Sequence, residues 1–199
     1  GEVNDVTEDV IADYLKGLIR PYIFGISSLT ASIANAHRVA ALLKKTYPES
    51  KVIFGNMHPT VMTEEVLKDR NVDIVVRGEG EEVLNSLYER IKANKDYSDI
   101  KSISFYKNGK IVHNEIAPLP DLATVPRFPY HLFAEHSNKY NLGFITSSRG
   151  CPYNCIFCSQ SNKHYQTNLS KHIVYIGIVA EPGQEQSEEC PEHGERCPQ

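Results

Sequence analysis

The cysteine-rich stretch near the end of the chain holds the residues best suited to chemistry. Cys151, Cys155 and Cys158 follow a C-x3-C-x2-C spacing within "RGCPYNCIFCSQ" (149–160), in a chain of 199 residues that has five cysteines. Thiolates are soft ligands that suit iron–sulfur clusters and zinc. Three protein ligands with one vacant position are the usual design of a reactive metal site. The spacing therefore favours a 4Fe-4S cluster that leaves one iron open.

Two other interpretations of these cysteines stay open. A structural zinc site usually has four ligands, and the nearest further candidates are His164, Cys190 and Cys197. The tail could also hold zinc through Cys190, His193 and Cys197. Disulfides would leave one cysteine of the cluster unpaired, and the absence of cysteine before Cys151 fits a reducing compartment. A zinc-stabilised structural protein is thus an alternative to a cluster protein.

Composition indicates a globular protein of the cytoplasm. The chain is 41% hydrophobic and 23% charged, with a formal net charge of −4. No basic surface argues for nucleic acid, and no apolar run predicts a membrane span or a signal peptide.

The first 97 residues alternate helical and strand patterns, which predicts an α/β domain. Helices are expected at 6–19, 32–47, 63–69 and 81–94, and strands at 22–27, 51–55 and 72–78. The strands are nearly continuous apolar runs, as in parallel sheets that are buried on both faces. We therefore predict a flavodoxin-like or Rossmann-like parallel sheet whose ligand edge lies at the carboxyl ends of its strands.

The rest of the chain predicts three further segments. Residues 98–140 would form a β-hairpin around Asn108-Gly109 and a proline-rich connector. Residues 141–165 would supply a strand and the cysteine loop. The polar tail at 166–199 is expected to be disordered.

The cysteine motif, with an aromatic residue before its last cysteine and "TSSRG" before its first, resembles the radical S-adenosylmethionine (radical SAM) superfamily. The resemblance implies that Cys151, Cys155 and Cys158 ligate three irons and that the fourth iron chelates the amino and carboxylate groups of SAM. Phe157 would lie at the adenine. Reductive cleavage of SAM would then give a 5′-deoxyadenosyl radical. The cysteine loop would belong to the start of a partial (β/α) barrel. No catalytic residue beyond the cluster is assignable.

The order of the upstream motifs resembles the cobalamin-binding class of radical SAM enzymes. "GISSLT", "FGNMHPT" and "VDIVVRGEGE" precede the proline-rich connector and the cysteine loop. The resemblance implies a cobalamin cofactor, a small-molecule substrate and an electron donor such as flavodoxin or ferredoxin. The residues expected to cradle cobalamin are Ser27, Leu29, Thr30, Gly55, Gly78, Glu79 and Gly80.

The chain departs from this family pattern in three places. Asn56 stands where the family has the second glycine of a pair, and no D-x-H-x-x-G motif occurs. The chain opens on a helix and includes only the first strand of a barrel, so we expect a fragment truncated at both ends. A catalytically inactive cobalamin-binding or partner-binding module with a vestigial cluster loop is the alternative. His58 is expected to stabilise a turn, and His37 to be a surface or boundary residue.

Overall fold

The computed structural model of the chain describes residues 8–18 and 23–118, with the isolated positions 120, 125, 129 and 156. Within these ranges, helices and strands alternate as the hydrophobic pattern predicts. The elements are α1 (Glu8–Lys16), β1 (Ile23–Ser27), a 3-10 turn (Thr30–Ser32), α2 (Ile33–Thr46), β2 (Lys51–Gly55), α3 (Met57–Val61), α4 (Thr63–Leu67), β3 (Ile74–Val76), α5 (Glu81–Lys92), β4 (Ile103–Lys107) and β5 (Lys110–His113).

The strands form one mixed sheet in the order β1-β2-β3-β4-β5. β1, β2 and β3 are parallel, with Ser27 opposite Gly55 at the carboxyl end of the first pair. β4 and β5 are antiparallel additions beside β3. The predicted α/β class is confirmed, and the structure adds that the sheet is mixed.

Alternate residues of β2 and β3 enter two separate cores, one on each face of the sheet. Val52, Phe54 and Val75 pack in a core that includes residues of α1, α2 and α4. Ile53, Ile74 and Val76 pack in a second core with residues of α5 and β4. Because both faces are covered, every position of these strands favours an apolar side chain, which explains their continuous hydrophobic runs.

The hairpin extends this sheet. Its two-residue turn places Asn108 at φ 53° and Gly109 at φ 78°, the backbone of a type I′ turn. Lys107 pairs with Lys110 directly beside the turn. The sequence predicts the hairpin itself, but the pairing of β4 with β3 depends on contacts with the second core, including Ile103 and Phe105.

Two short helical segments replace what the sequence predicts as loops. The 3-10 turn follows β1, and α3 follows β2 almost at once. Both lie at the carboxyl edge of the parallel strands. Within the described ranges, every helix is too short or too polar to cross a lipid bilayer.

Candidate functional site

Three loops meet at the carboxyl edge of the parallel strands. The first follows β1 at Ser28, the second follows β2 at Asn56, and the third follows β3 at Arg77. Because the three strands are parallel and adjacent, their carboxyl ends share one edge of the sheet, where open α/β sheets bind ligands.

The first loop is tied directly to the second strand. The backbone N–H of Ser28 donates to the Gly55 carbonyl at 3.2 Å. The Ser28 side chain is 1% exposed, and its Oγ has no hydrogen-bond partner among the described residues. Leu29 follows with its side chain half-exposed. The loop therefore places a buried hydroxyl and an exposed apolar group next to each other.

The second loop begins with an unusual backbone at Asn56. Its φ of 81° and ψ of −169° lie in a region that is almost restricted to glycine and costs other residues about 1–3 kcal/mol. The Asn56 Nδ2 donates to Ser27 Oγ at 2.9 Å, and its Oδ1 accepts from the Met57 N–H at 2.6 Å. These bonds help to hold the strained residue, which caps α3. Asn56 thus keeps a glycine-like conformation.

His58 connects the second loop back to the first. Its side chain is buried, and its Nδ1 lies 3.0 Å from the Thr30 Oγ1. Its Nε2 is buried and finds no hydrogen-bond partner within the described part of the chain. The structure is consistent with the predicted turn-stabilising role and also leaves one ring nitrogen for a further partner.

Thr60 connects the second loop to the third. Its Oγ1 donates to the Asn56 carbonyl at 2.8 Å and accepts from the Gly78 N–H at 3.1 Å. Gly78 has a φ of 81°, which favours glycine because side chains crowd the backbone in that region. Hydrogen bonds therefore join all three loops across the sheet edge. Thr60 was not among the predicted site residues, although "HPT" after β2 was a visible signal.

Arg77 turns away from the loops and into the sheet. Its backbone N–H donates to the Ser102 carbonyl at 2.8 Å, and its guanidinium donates to the carbonyls of Ile103 and Asn114. Burial lowers the pKa of the Arg77 guanidinium below its ordinary value. The group nonetheless stays protonated, since arginine is effectively always charged in proteins. The side chain therefore anchors the third loop to β4.

Carboxylates surround the third loop. Glu81 and Glu82 begin α5, where they offset the positive end of the helix dipole. An open cleft beside them is lined in part by Arg77, Glu79 and Pro118. This arrangement disfavours a second anion at the start of α5. The edge as a whole is better suited to neutral polar groups than to free phosphate.

Exposed apolar side chains complete the edge. The large apolar residues that stay more than a third exposed in or beside these loops are Leu29, Val61, Met62 and Leu84. The same loops also carry hydroxyl, amide and backbone N–H groups. Such a surface can bind a ligand that has an apolar face and a hydrogen-bonding periphery.

The structure brings five of the predicted cobalamin residues to this edge and places the other two where α5 begins. Ser27, Leu29, Thr30, Gly55 and Gly78 end the strands or belong to the loops, whereas Glu79 and Gly80 precede Glu81, the first residue of α5. That these residues contact a ligand remains a prediction. Cys151, Cys155, Cys158 and Phe157 lie outside the described residues, as do Cys190, His193 and Cys197.

His37 belongs to the scaffold, as predicted for a boundary residue. It lies on α2, its Nδ1 is 2.6 Å from the Asp69 carboxylate, and its ring packs against Phe54 with 5.3 Å between centroids. The first contact links α2 to the segment after α4, and the second links α2 to β2. The residue lies beside the first core, which includes Phe54, and not among the three loops.

Comparison with known families identifies the class of this domain. Residues 2–87 match the family model described as the B12 binding domain, and this range includes all three loops. Residues 2–87 of this chain therefore resemble a B12-binding domain. The resemblance to cobalamin-binding radical SAM proteins that the sequence predicts is confirmed.

Individual relatives match most of this chain. An uncharacterized methyltransferase of Pyrococcus horikoshii is 33% identical over 168 residues, which cover 81% of this chain and 36% of that relative. TokK, a cobalamin-dependent radical SAM methyltransferase of Streptomyces tokunonensis, is 27% identical over 159 residues, which cover 74% of this chain and 23% of TokK. The chain thus spans about a third of the first relative and about a quarter of the second.

A solved structure shows the same fold. The cobalamin-dependent S-adenosylmethionine radical enzyme OxsB, with aqua-cobalamin and S-adenosylmethionine bound, aligns with a TM-score of 0.66 and 23% identity. The alignment covers 77% of this chain and 22% of OxsB. At this identity the likeness concerns the fold alone.

Proposed function

We propose that this chain binds cobalamin at the carboxyl edge of β1, β2 and β3, and that it forms part of a radical SAM enzyme. The observation that carries the proposal is the set of three hydrogen-bonded loops at that edge, inside the range that matches the B12-binding domain. Cobalamin combines a wide corrin ring with a periphery of carboxamides. The apolar and hydrogen-bonding groups of the edge fit both parts of such a ligand.

Individual residues have defined roles in this proposal. Ser28 Oγ and His58 Nε2 are buried polar atoms without a partner among the described residues, so each has hydrogen-bonding capacity for the site. Gly55 leaves open space, because a Cβ there would meet only the Val76 carbonyl, at 3.9 Å. Leu29 supplies exposed apolar surface for the ring. Bound cobalamin would supply organometallic chemistry that protein side chains lack.

The cysteine loop would supply the second part of the activity. We propose that Cys151, Cys155 and Cys158 hold a 4Fe-4S cluster, with Phe157 beside the adenine of SAM. A cluster with an open iron and bound SAM supplies radical chemistry on reduction. An electron donor such as flavodoxin or ferredoxin and a small-molecule substrate belong to the same proposal. The support is the cysteine spacing together with the radical SAM relatives.

Titration with hydroxocobalamin tests the first part. We expect a change in the visible spectrum at saturation and an increase in the melting temperature of the protein. Gly55→Ala should weaken binding about tenfold, or ~1.4 kcal/mol, because the added methyl group fills space at the edge. Gly25→Ala is the matched control, since a Cβ at Gly25 meets nothing within 4 Å and the residue lies in the middle of β1. Equal binding by both variants would contradict the proposed location.

Anaerobic reconstitution with iron and sulfide tests the second part. We expect about four irons per chain, by the stoichiometry of a 4Fe-4S cluster, and an EPR signal on reduction. Cys151→Ala, Cys155→Ala and Cys158→Ala should each abolish the signal. Cys190→Ala and Cys197→Ala are the controls, because they remove thiols outside the motif. Stoichiometric zinc without a chromophore would instead favour the zinc alternative.

A further inference from the structure

Ser102, which directly precedes β4, has a backbone conformation that side chains disfavour. Its φ is 64°, in the left-handed region, although the residue is a serine and is only 2% exposed. Glycine would take this conformation without strain. Strained residues persist where the surrounding structure holds them, and they cluster at functional positions. The contacts of Ser102 must therefore offset this strain.

These contacts hold the segment that follows β5. This segment, residues 114–118 (the exit segment), leads in sequence into the proline-rich stretch before the cysteine motif. The Ser102 N–H donates to the Glu115 carbonyl at 2.7 Å, and the Ser102 Oγ accepts from the Ala117 N–H at 2.8 Å. Glycine could form the first bond but not the second. The serine hydroxyl is thus a specific attachment point for the exit segment.

Arg77 attaches the same segment to the third loop. Its guanidinium donates to the Asn114 carbonyl, and its backbone N–H donates to the Ser102 carbonyl at 2.8 Å. The next residue, Gly78, donates from its N–H to the Thr60 hydroxyl. Two consecutive residues of the third loop are therefore bonded to the exit segment and its anchor on one side, and to the second loop on the other.

The third loop and the exit segment also line the same cleft beside the start of α5. The lining includes Arg77, Gly78 and Glu79 from the loop, and Ile116, Ala117 and Pro118 from the exit segment. Open space in this cleft means that side-chain packing between the two segments is incomplete there. The hydrogen bonds of Arg77 and Ser102 consequently matter more for the connection.

We propose that Ser102 and Arg77 form a latch that couples the third loop, and with it cobalamin binding, to the order of the exit segment. This inference rests on the proposed function. Bound cobalamin restricts the third loop, and a restricted Arg77 holds Ser102 and Asn114 more firmly, so the exit segment opens less often. Coupling between two sites is reciprocal. An exit segment that stays open therefore weakens cobalamin binding by the same factor.

A purely structural role for Ser102 has different consequences. It would change the stability of the domain but would leave hydrogen exchange in the exit segment independent of the ligand. The effect of cobalamin on that exchange is therefore the decisive measurement.

The first experiment measures amide hydrogen exchange at the Ala117 N–H of the full chain, with and without saturating hydroxocobalamin. We expect cobalamin to slow this exchange about fivefold, at the lower end of the usual coupling between two sites. Exchange that is the same with and without bound hydroxocobalamin overturns the latch and leaves the cobalamin site standing. This measurement uses the wild-type chain and does not depend on the folding of a variant.

The second experiment titrates two variants with hydroxocobalamin. Ser102→Gly keeps the backbone conformation but removes the acceptor of the Ala117 N–H, so it should bind about fivefold more weakly than the wild type. Ser98→Ala is the matched control and should bind within about twofold of the wild type. Its hydroxyl bonds to Asp96 on the exposed surface, and its carbonyl stays available to Asn114.

The outcomes separate this inference from the proposed function. Equal affinity of Ser102→Gly and the wild type, or an equal loss in Ser98→Ala and Ser102→Gly, overturns the latch while the cobalamin site stands. Failure of the wild type to bind hydroxocobalamin overturns the proposed function and the latch together.

Discussion

Thr60 offers a direct measure of how strongly the loops at the ligand edge are joined. Its side chain is 3% exposed, and its hydroxyl both donates to the Asn56 carbonyl and accepts from the Gly78 N–H. Valine has nearly the same shape as threonine but cannot form either bond. Thr60→Val therefore removes the connection between the second and third loops while it keeps most of the packing.

The expected cost follows from what each partner loses. The Asn56 carbonyl keeps the backbone hydrogen bond from Thr60 N, at 3.1 Å, so it remains satisfied. The Gly78 N–H loses the acceptor that it has in the wild type. A lost hydrogen bond costs about 1 kcal/mol net, and Thr60→Val loses two, the one to the Asn56 carbonyl and the one from the Gly78 N–H. We expect the free energy of unfolding to fall by about 2 kcal/mol.

Urea unfolding followed by circular dichroism measures this cost, with unchanged m-values as evidence that the folded and unfolded states remain comparable. Thr46→Val is the matched control. The Thr46 hydroxyl donates to the Leu42 carbonyl at 2.9 Å on the exposed surface of α2, so its loss should matter by no more than about 0.5 kcal/mol. If both variants lose the same small amount, the Thr60 hydroxyl does not join the loops as we describe.

Two further predictions concern the scaffold. Leu67→Ala should destabilise the domain by about 2–5 kcal/mol in the same urea assay, because Leu67 is fully buried in the first core. Leu84→Ala, at an exposed position, should cost far less, and equal losses would contradict the assignment of the core. The Arg90 hydrogen bond lowers the pKa of Asp99, and the Ser98 hydroxyl lowers the pKa of Asp96. A carboxyl group whose pKa is lower in the folded state stabilises the fold at pH values above its unfolded-state pKa. This stabilisation is lost as the pH falls through the folded-state pKa, so both contributions should disappear in acid. Arg90→Ala should raise the Asp99 pKa while Asp96 keeps its hydrogen bonds from Ser98, as carboxyl NMR titration would show. An Asp99 midpoint that does not move would refute the assignment.

Much of the secondary structure could be predicted from the sequence, because burial and turn conformation each favour particular residue types at particular positions. β2 was predicted at 51–55 from a continuous apolar run, and its residues do pack on both faces of the sheet. The turn at Asn108-Gly109 was predicted because asparagine and glycine tolerate positive φ best. In both cases the cause lies within a few residues.

Only part of the candidate site could be predicted from the sequence. The loops after β1, β2 and β3 follow from strand order, because parallel strands end at one edge. The bridges between the loops, Asn56 to Ser27 and Thr60 to Gly78, join residues 29 and 18 positions apart. Such contacts depend on strand register, which local pattern does not specify. The short helix α3 was missed for a related reason, since it is stabilised by the Asn56 cap and by burial of His58 and Thr60.

The sequence by itself determined the alternation of helices and strands, the hairpin turn and the resemblance to cobalamin-binding radical SAM proteins, and it remains the whole basis of the predicted cluster at Cys151, Cys155 and Cys158. Only the tertiary structure decided that β4 lies antiparallel to β3, that Arg77 turns into the sheet, and that Asn56 keeps a glycine-like backbone while its side chain bonds to Ser27. The physical reason is the range of the interactions. Periodicity and turn propensity act between neighbours in the chain, whereas a buried charge, a strained backbone and hydrogen bonds between loops depend on residues that only folding brings together.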